Sequence, residues 1–394
     1  MTESEKNPQT EVICKGDHRE MGVAQGIGMR AKLRKSAEIL SRLDPFLRRK
    51  PWWLPYGSYK KLSQRKARQF LKHPLRKQFP EMAQRLEGIA EGARIDPNEL
   101  YLYNALDALI SSVTHMIVMP PLSGCSAVAV RGNKSVSGEP VIARNFDYLP
   151  LVQPLYAIRE SRPEGKYRSL EFTVAPLCGT IDGVNERGLC ITYNYAYVAD
   201  GPAEAPTISM VISEALAVCS TVSEAAEFIS STPRWGGGLL MLADETGDLA
   251  SLELSNTRSR LRRPADDEDQ LFHSNAFHSE TMREVQVSDR AVFSHKAPDA
   301  LRGHRVLESA ECRDRRFEEL LSQCDSLGPD ELSAVMSDHG PGDEPSLNTI
   351  CKHSSYWNTT ACLQLFPASR SFRVAFDSAC KARYQEFRLN PADV

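Results

Sequence analysis

The chain has 394 residues, 41% of them hydrophobic and 25% charged, with a formal net charge of −3. That balance is ordinary for a soluble globular protein longer than one small domain, and it excludes a global attraction to nucleic acid or anionic membrane. No apolar stretch reaches the roughly 18–20 residues of a membrane span, so no membrane span is expected.

The opening "MTESEKNPQTEVICKGDHRE" lacks the apolar core of a secretory signal and "LNPADV" is no peroxisomal address, which makes the cytoplasm the expected location. The first 120 residues read as helical. In "HREMGVAQGIGMRAKLRKSAEILSRL" (18–43) Met29, Leu33, Ala37 and Leu40 recur at helical spacing. A second helical stretch opens at Pro80 and carries Met82, Leu86, Ile89 and Ala90. It turns in "GARIDPNEL" and restarts at Asp96 or Pro97. Between them, residues 48–77 carry eleven Lys or Arg and no Asp or Glu, interleaved with Trp52, Trp53, Tyr56, Tyr59 and Phe70. Such a segment is a solvated basic helix with aromatic anchors, or the contact for an anionic partner or the wall of an acyl pocket.

From residue 122 the pattern changes to short apolar runs with glycine punctuation. "CSAVAVRG" and "PVIARNFDY" predict a strand pair, "GTIDGVNERGLCITYNYAY" two more strands broken at Asn185–Gly188, and "GGGLLMLADETGDLASLELS" a hairpin. Residues 208–231 predict a helix pair, 307–324 a helix with Phe317 and Leu321 inward, and 359–376 a final hairpin. The fold class is α+β, with sheets covered by helices.

Ten cysteines without a CxxC pair and nine histidines without HExxH give no disulfide framework and no closely spaced metal-ligand pairs. Neither GxGxxG nor GxxxxGK[ST] occurs, so no metal, nucleotide or other cofactor is expected. The chemistry concentrates instead at "LSGCSAVAV". If Cys125 became a chain terminus, one residue would supply both a thiol nucleophile and an α-amine base of pKa roughly 7.7–8.0. Its thiol would first attack the carbonyl of Gly124, a residue whose missing Cβ permits close approach. Arg144 and Asp147 in "ARNFDY", at the end of an apolar strand, could lower the pKa of a thiol packed near them or orient the amine. In a straight strand they face opposite ways, so a bend near Asn145–Asp147 is required for both to serve one site. Asn194 and Asn275 are amides that can donate to an oxyanion.

These blocks resemble the family of acyl-coenzyme A:6-aminopenicillanic-acid acyltransferase, self-cleaving N-terminal-nucleophile hydrolases related to the choloylglycine hydrolases. The resemblance runs through "HREMGVAQG", "RLEGIAEGARIDPNEL", "SGCSAVAV", "GEPVIARNFDY", "GVNERGLCITYN", "HSNAF", "ECRDRRFEELL" and "ICKH…WNTTACLQLFP". It implies a four-layer αββα sandwich made as a precursor and cut at Gly124–Cys125. Residues 1–124 would become a helical small chain and 125–394 the catalytic chain. It further implies Cys125 as nucleophile and base, Asp147 holding the terminal amine, Asn275 at the oxyanion and Arg313 from a helix, with Arg316 the alternative. Arg144 and Asn194 correspond to the choloylglycine branch. "SGC" stands where the family often has Asp before Gly, Ser126 where Thr is frequent, "RNFDY" for "NWD", and "NAF" for "NHF" with His278 displaced.

The implied activity is an amidase or acyltransferase on a small-molecule N-acyl substrate, with water, an amine or an acyl-CoA as second partner. Two other readings are an unprocessed, inactive binding or scaffold protein using residues 48–77, and a Cys-His hydrolase that would need His273, His278 or His353.

Overall fold

The computed structural model describes residues 11–110, 117–201, 203–265 and 268–389. The chain opens with β1 (Val12–Gly16), α1 (His18–Gly28), α2 (Arg30–Arg42), the single turn α3 (Asp44–Leu47), α4 (Tyr56–Gln78), α5 (Pro80–Ala93) and α6 (Pro97–Ile110). There follow β2 (Ile117–Val118), β3 (Ser123–Val130), β4 (Val141–Tyr148), β5 (Tyr156–Pro163), β6 (Ser169–Val174), β7 (Asp182–Asn185) and β8 (Cys190–Ala196). Helices α7 (Ile208–Val218) and α8 (Val222–Ser231) lead into β9 (Gly237–Ala243), β10 (Leu249–Leu254), β11 (Ser259–Arg262) and β12 (Gln270–His273). The rest is α9 (Glu280–Arg283), β13 (Val292–Phe293), α10 (Glu308–Ser322), α11 (Pro329–Met336), β14 (Asn358–Phe366), β15 (Ser371–Ala375) and β16 (Gln385–Arg388).

Two sheets carry the fold: an eight-stranded one in the order β1-β5-β6-β7-β8-β9-β10-β11 and a six-stranded one in the order β12-β3-β4-β14-β15-β16. The run "SGCSAVAV" shows why no polar alternation marks its strand: every residue of β3 is buried. Cys125, Ala127 and Ala129 enter the core between the sheets, whereas Val128 and Val130 pack with Phe317, Leu321, Leu332 and Met336 of α10 and α11. On the other sheet Ile191, Leu240, Leu242 and Leu252 pack under α7 and α8, while Met241 and Leu249 face the inter-sheet core. A sheet buried on both faces reads as a continuous apolar run, and the result is the expected αββα sandwich. No helix among the described residues is long and apolar enough to cross a membrane.

Two expectations for the front of the chain need correction. It is not all helix, because β1 pairs parallel with β5 at the edge of the larger sheet. Nor is 18–43 one helix: it breaks at Met29, where φ −102 and ψ 16 leave the helical region. The break lets α1 lie along α5 on a seam of glycines. A Cβ on Gly22 would stand 2.1 Å from Arg85 O, on Gly26 2.4 Å from Ile89 O, on Gly88 2.3 Å from Arg19 O, and on Gly92 2.3 Å from Val23 O. The blocks "GVAQG" and "GIAEG" are therefore the two sides of one close helix contact.

This unit is bolted to the later chain by polar bonds. Gln25 Nε2 donates to Ala175 O and Leu177 O at 3.1 and 2.9 Å, and its Oε1 accepts from Arg159 Nη1 at 3.0 Å. Asn104 donates to Pro176 O and accepts from Cys178 N, at 2.9 and 3.0 Å. Replacing Gly88 by Ala should force the helices apart and cost about 1–3 kcal/mol. Gly57, whose Cβ would meet nothing within 4 Å, should tolerate Ala without loss. Denaturant midpoints of the two variants check this contrast.

Candidate active site

Cys125, Arg144, Asp147, Asn194, Asn275 and Arg313 meet around the start of β3. In the β3–β4 ladder Gly124 stands opposite Asp147, Cys125 opposite Phe146, and Ala127 opposite Arg144. Directly opposed residues share a face, so Cys125, Phe146 and Arg144 look between the sheets. Gly124, Ser126 and Asp147 look the other way, towards α10. The β3–β4 register runs unbroken to Tyr148, and the one register shift at this level lies in β14, between Thr359 and Ala361, so β4 keeps its alternation and Arg144 and Asp147 stay on opposite faces. Arg144 and Asp147 serve one site because the site straddles the strand.

On the inter-sheet face the thiol of Cys125 is 1% exposed as a residue and accepts from Arg144 Nη2 at 3.1 Å. The guanidinium is held from every side. Its Nη1 donates to Asp182 Oδ2 at 2.6 Å, its Nε to Asn194 Oδ1 at 3.2 Å, and its Nη2 also to Tyr193 O. Asn194 in turn donates to Ser274 O at 3.1 Å. Its carboxamide thus orients Arg144 and ties β8 to the end of β12. A cavity lined by Leu40, Leu43, Tyr103, Phe146, Tyr193 and Trp235 opens onto the thiol.

The peptide groups of Cys125 are gripped separately. Strand β12 pairs with β3 only as far as His273 opposite Ala127, so the Cys125 amide would lose its ladder partner. A buried amide left unpaired is costly, and Asn275 supplies the substitute: its Oδ1 accepts from Cys125 N at 3.0 Å, while its Nδ2 donates to Tyr195 O at 2.7 Å. Arg313 projects from α10, donating by Nη1 to Cys125 O and to Ser126 Oγ (2.8 Å) and by Nη2 to Asn275 Oδ1 (2.9 Å). Arg316 instead pairs with Asp338 and Glu319 at 2.8 and 2.9 Å, which sets it outside the site.

Asp147 completes the outer face. It accepts from Thr359 Oγ1 at 2.7 Å and lies 3.4 Å from Lys352 Nζ and 3.9 Å from Arg313 Nη1. Lys352 and Asn275 are the nearest groups to the place a Cβ on Gly124 would occupy, at 3.0 and 3.6 Å.

Burial and charge compete here. Desolvation pushes the Cys125 thiol up to about 11, against the pull of Arg144. Desolvation also lowers Lys352 to about 8, helped by Arg313 and opposed by Asp147. It raises Asp182 to about 6 despite Arg144. Each is a buried charged form losing hydration that a single partner only partly replaces.

The expectation that residues 48–77 line an acyl pocket is overturned. Helix α4 packs one layer back: the Tyr59 ring lies tilted against Phe46 at 4.7 Å, and Phe70 stacks at 5.5 Å on the pocket-lining Trp235. Residues 36–43 and 103–107 form that wall instead. Trp52 and Trp53 stand 92% and 65% exposed.

Among the described residues no histidine bonds to Cys125. His273 meets Ser251 Oγ at 2.8 Å, His278 lies 3.3 Å from Asp314, and His353 lies 3.5 Å from Cys351. The sequence reading missed Lys352, Asp182 and Thr359. The signal for Lys352 was a charge isolated in "ICKH", a block quoted for its resemblance but not for its lysine.

No curated protein matches the chain. Among solved structures it is similar to a Caenorhabditis elegans N-acylethanolamine-hydrolyzing acid amidase ortholog, at 15% identity and TM-score 0.42, over 68% of this chain and 100% of that one. It is similar also to penicillin V acylase from Agrobacterium tumefaciens, at 14% identity and TM-score 0.40, over 67% and 86% of the two chains. A conjugated bile acid hydrolase from Clostridium perfringens matches at 12% identity and TM-score 0.36, over 68% and 97%. Likenesses of this size carry no argument about substrate. The family model for acyl-coenzyme A:6-aminopenicillanic acid acyl-transferase matches residues 133–380, a span that begins after Cys125 and holds Arg144, Asp147, Asn194, Asn275, Arg313 and Lys352. With more than half of its length matched, the chain belongs to the acyl-coenzyme A:6-aminopenicillanic acid acyl-transferase family.

Proposed function

We propose that the chain is a self-processing N-terminal cysteine amidohydrolase or acyltransferase, cut between Gly124 and Cys125, acting on a small N-acyl compound through an acyl-enzyme thioester. The observation that carries the proposal is one residue held at three points. The thiol of Cys125 rests on Arg144, its N–H on Asn275, and its C=O on Arg313. A cysteine that merely fills a core would have its N–H and C=O paired in a ladder and would need no guanidinium on its thiol.

In processing, Cys125 Sγ attacks the Gly124 carbonyl carbon. The C–N bond breaks, the nitrogen takes a proton to become the α-amine, and water opens the thioester to free the Gly124 carboxylate and the thiol. Lys352, beside Gly124, is the group we assign as proton donor to the departing nitrogen. Afterwards the α-amine lies against Asn275, Asp147 is the acid we assign to hold it, and it serves as base for the thiol next to it.

With substrate, the thiol attacks the amide carbonyl and the amine passes its proton to the leaving nitrogen. Asn275 Nδ2 donates one of its two hydrogens to Tyr195 O, and the second is the one we assign to the oxyanion. Asn194, committed to Arg144 and Ser274, acts as a positioning residue. The apolar cavity on the thiol side suits an acyl chain. The residues that precede Cys125 supply Leu40, Leu43 and Tyr103 to that cavity, so the small chain stays as part of the pocket.

Two outcomes follow. Intact mass of the purified protein should give two chains that sum to the precursor plus one water, and Cys125→Ala a single uncut chain; cleavage persisting in that variant would refute self-processing. In Lys352→Met, folded as judged by circular dichroism, the rate of cutting should fall about tenfold or more. Cutting at the wild-type rate in the folded variant would remove Lys352 from the step.

A further inference from the structure

A second cluster of reactive side chains lies just beyond the outer face of the site. His339 follows α11, Cys351 and His353 lie in the loop before β14, and Cys380 belongs to the 3-10 turn Ala379–Lys381 after β15. One ligand atom from each lies within 4.8 Å of all the others. His353 Nε2 is 3.5 Å from both Cys351 Sγ and Cys380 Sγ. His339 donates through Nδ1 to Asp343 Oδ1 at 3.0 Å, which leaves Nε2, a buried atom without a hydrogen-bond partner.

From these positions we infer that His339, Cys351, His353 and Cys380 form a structural zinc site. Two thiolates and two imidazoles are the soft and borderline donors that zinc takes in closed four-coordinate sites. At metal–ligand distances of about 2.0 Å for nitrogen and 2.3 Å for sulfur, tetrahedral donors stand roughly 3.3–3.8 Å apart. The two S–N separations already fall in that range, and the remaining ones need a contraction of about 1.5 Å at most. The Asp343 carboxylate on the far nitrogen of His339 is the outer partner that fixes a ligating imidazole's tautomer and orientation. Four protein ligands leave no open position, so the ion's work is to hold chain segments together.

The ligands come from three places in the sequence, and the ion would fasten the loop 337–357 to the turn that follows β15. Lys352 stands between two ligands, and its neighbours' anchorage fixes the backbone from which it reaches Asp147. The inference does not depend on the catalytic reading: the cluster would bind zinc whether or not Cys125 is cut.

The test is metal analysis of the full-length protein, produced with zinc, gel-filtered, and measured by plasma mass spectrometry beside circular dichroism. About one zinc per chain is expected. Cys380→Ser, at an exposed ligand, should lower that content roughly tenfold or more with the fold retained. Cys324→Ser, outside the cluster, should keep it. Cobalt(II) added to the metal-stripped wild-type protein should give tetrahedral ligand-field bands and a thiolate-to-cobalt charge-transfer band. That readout stands even if a ligand variant fails to fold. Folded wild-type protein that takes up neither metal, or one whose Cys351 and Cys380 are joined in a disulfide, would overturn the inference.

Discussion

The structure depends on one missing rung. Strand β12 stops pairing with β3 at His273, two residues short of the point where it would cover Cys125. A buried strand does not leave an amide and a carbonyl unpaired without a penalty of about 1–3 kcal/mol for each group. Here side chains rather than main chain satisfy them: Asn275 takes the N–H and Arg313 the C=O. Polar side chains can release and re-form such bonds when the peptide changes, whereas a ladder would have to break. The gap in the sheet thus leaves the Cys125 amide held by a side chain rather than by a ladder.

Around that gap the protein keeps charges in a dry interior. Arg144 and Asp182 are both buried and 2.6 Å apart, a pair whose single removal typically costs about 3–5 kcal/mol because the other charge is stranded. Its use is positional, since the guanidinium is aimed at a thiol that burial pushes up and that the arginine pulls back only in part. Asp147, Arg313 and Lys352 do the corresponding work on the opposite face. The front of the chain supplies the lid over the thiol and is fixed by the glycine seam and by Gln25 and Asn104 rather than by the peptide bond at 124. Its attachment would survive loss of that bond.

Much of this was legible in the sequence because strands and helices follow local patterns. The "CSAVAVRG"–"PVIARNFDY" pair, the hairpin of 236–255 and the helix 307–324 stand where periodicity puts them. What was not legible depends on distant contacts. The edge strand β1 is too short to differ from a loop by pattern. The break at Met29 is set by the packing of α1 on α5. The bend at Asn145–Asp147 rests on treating a site as one face of a strand, whereas the residues gathered at Cys125 grip its backbone from both faces. Lys352 carries no motif, and His339, Cys351, His353 and Cys380 have none of the tight spacing by which metal ligands are read. Residues 48–77 drew attention through charge, which recorded a solvated helix one layer behind the pocket wall.

The central claim is that Cys125 ends as a residue bearing both a free thiol and a free amine. A cyanobenzothiazole probe reads this directly, since it condenses stably only with a 1,2-aminothiol. The account predicts one label per molecule, carried by the large chain at its first residue and lost in Cys125→Ala. An intact 394-residue chain that takes no label, or a label placed on any other residue, would contradict it.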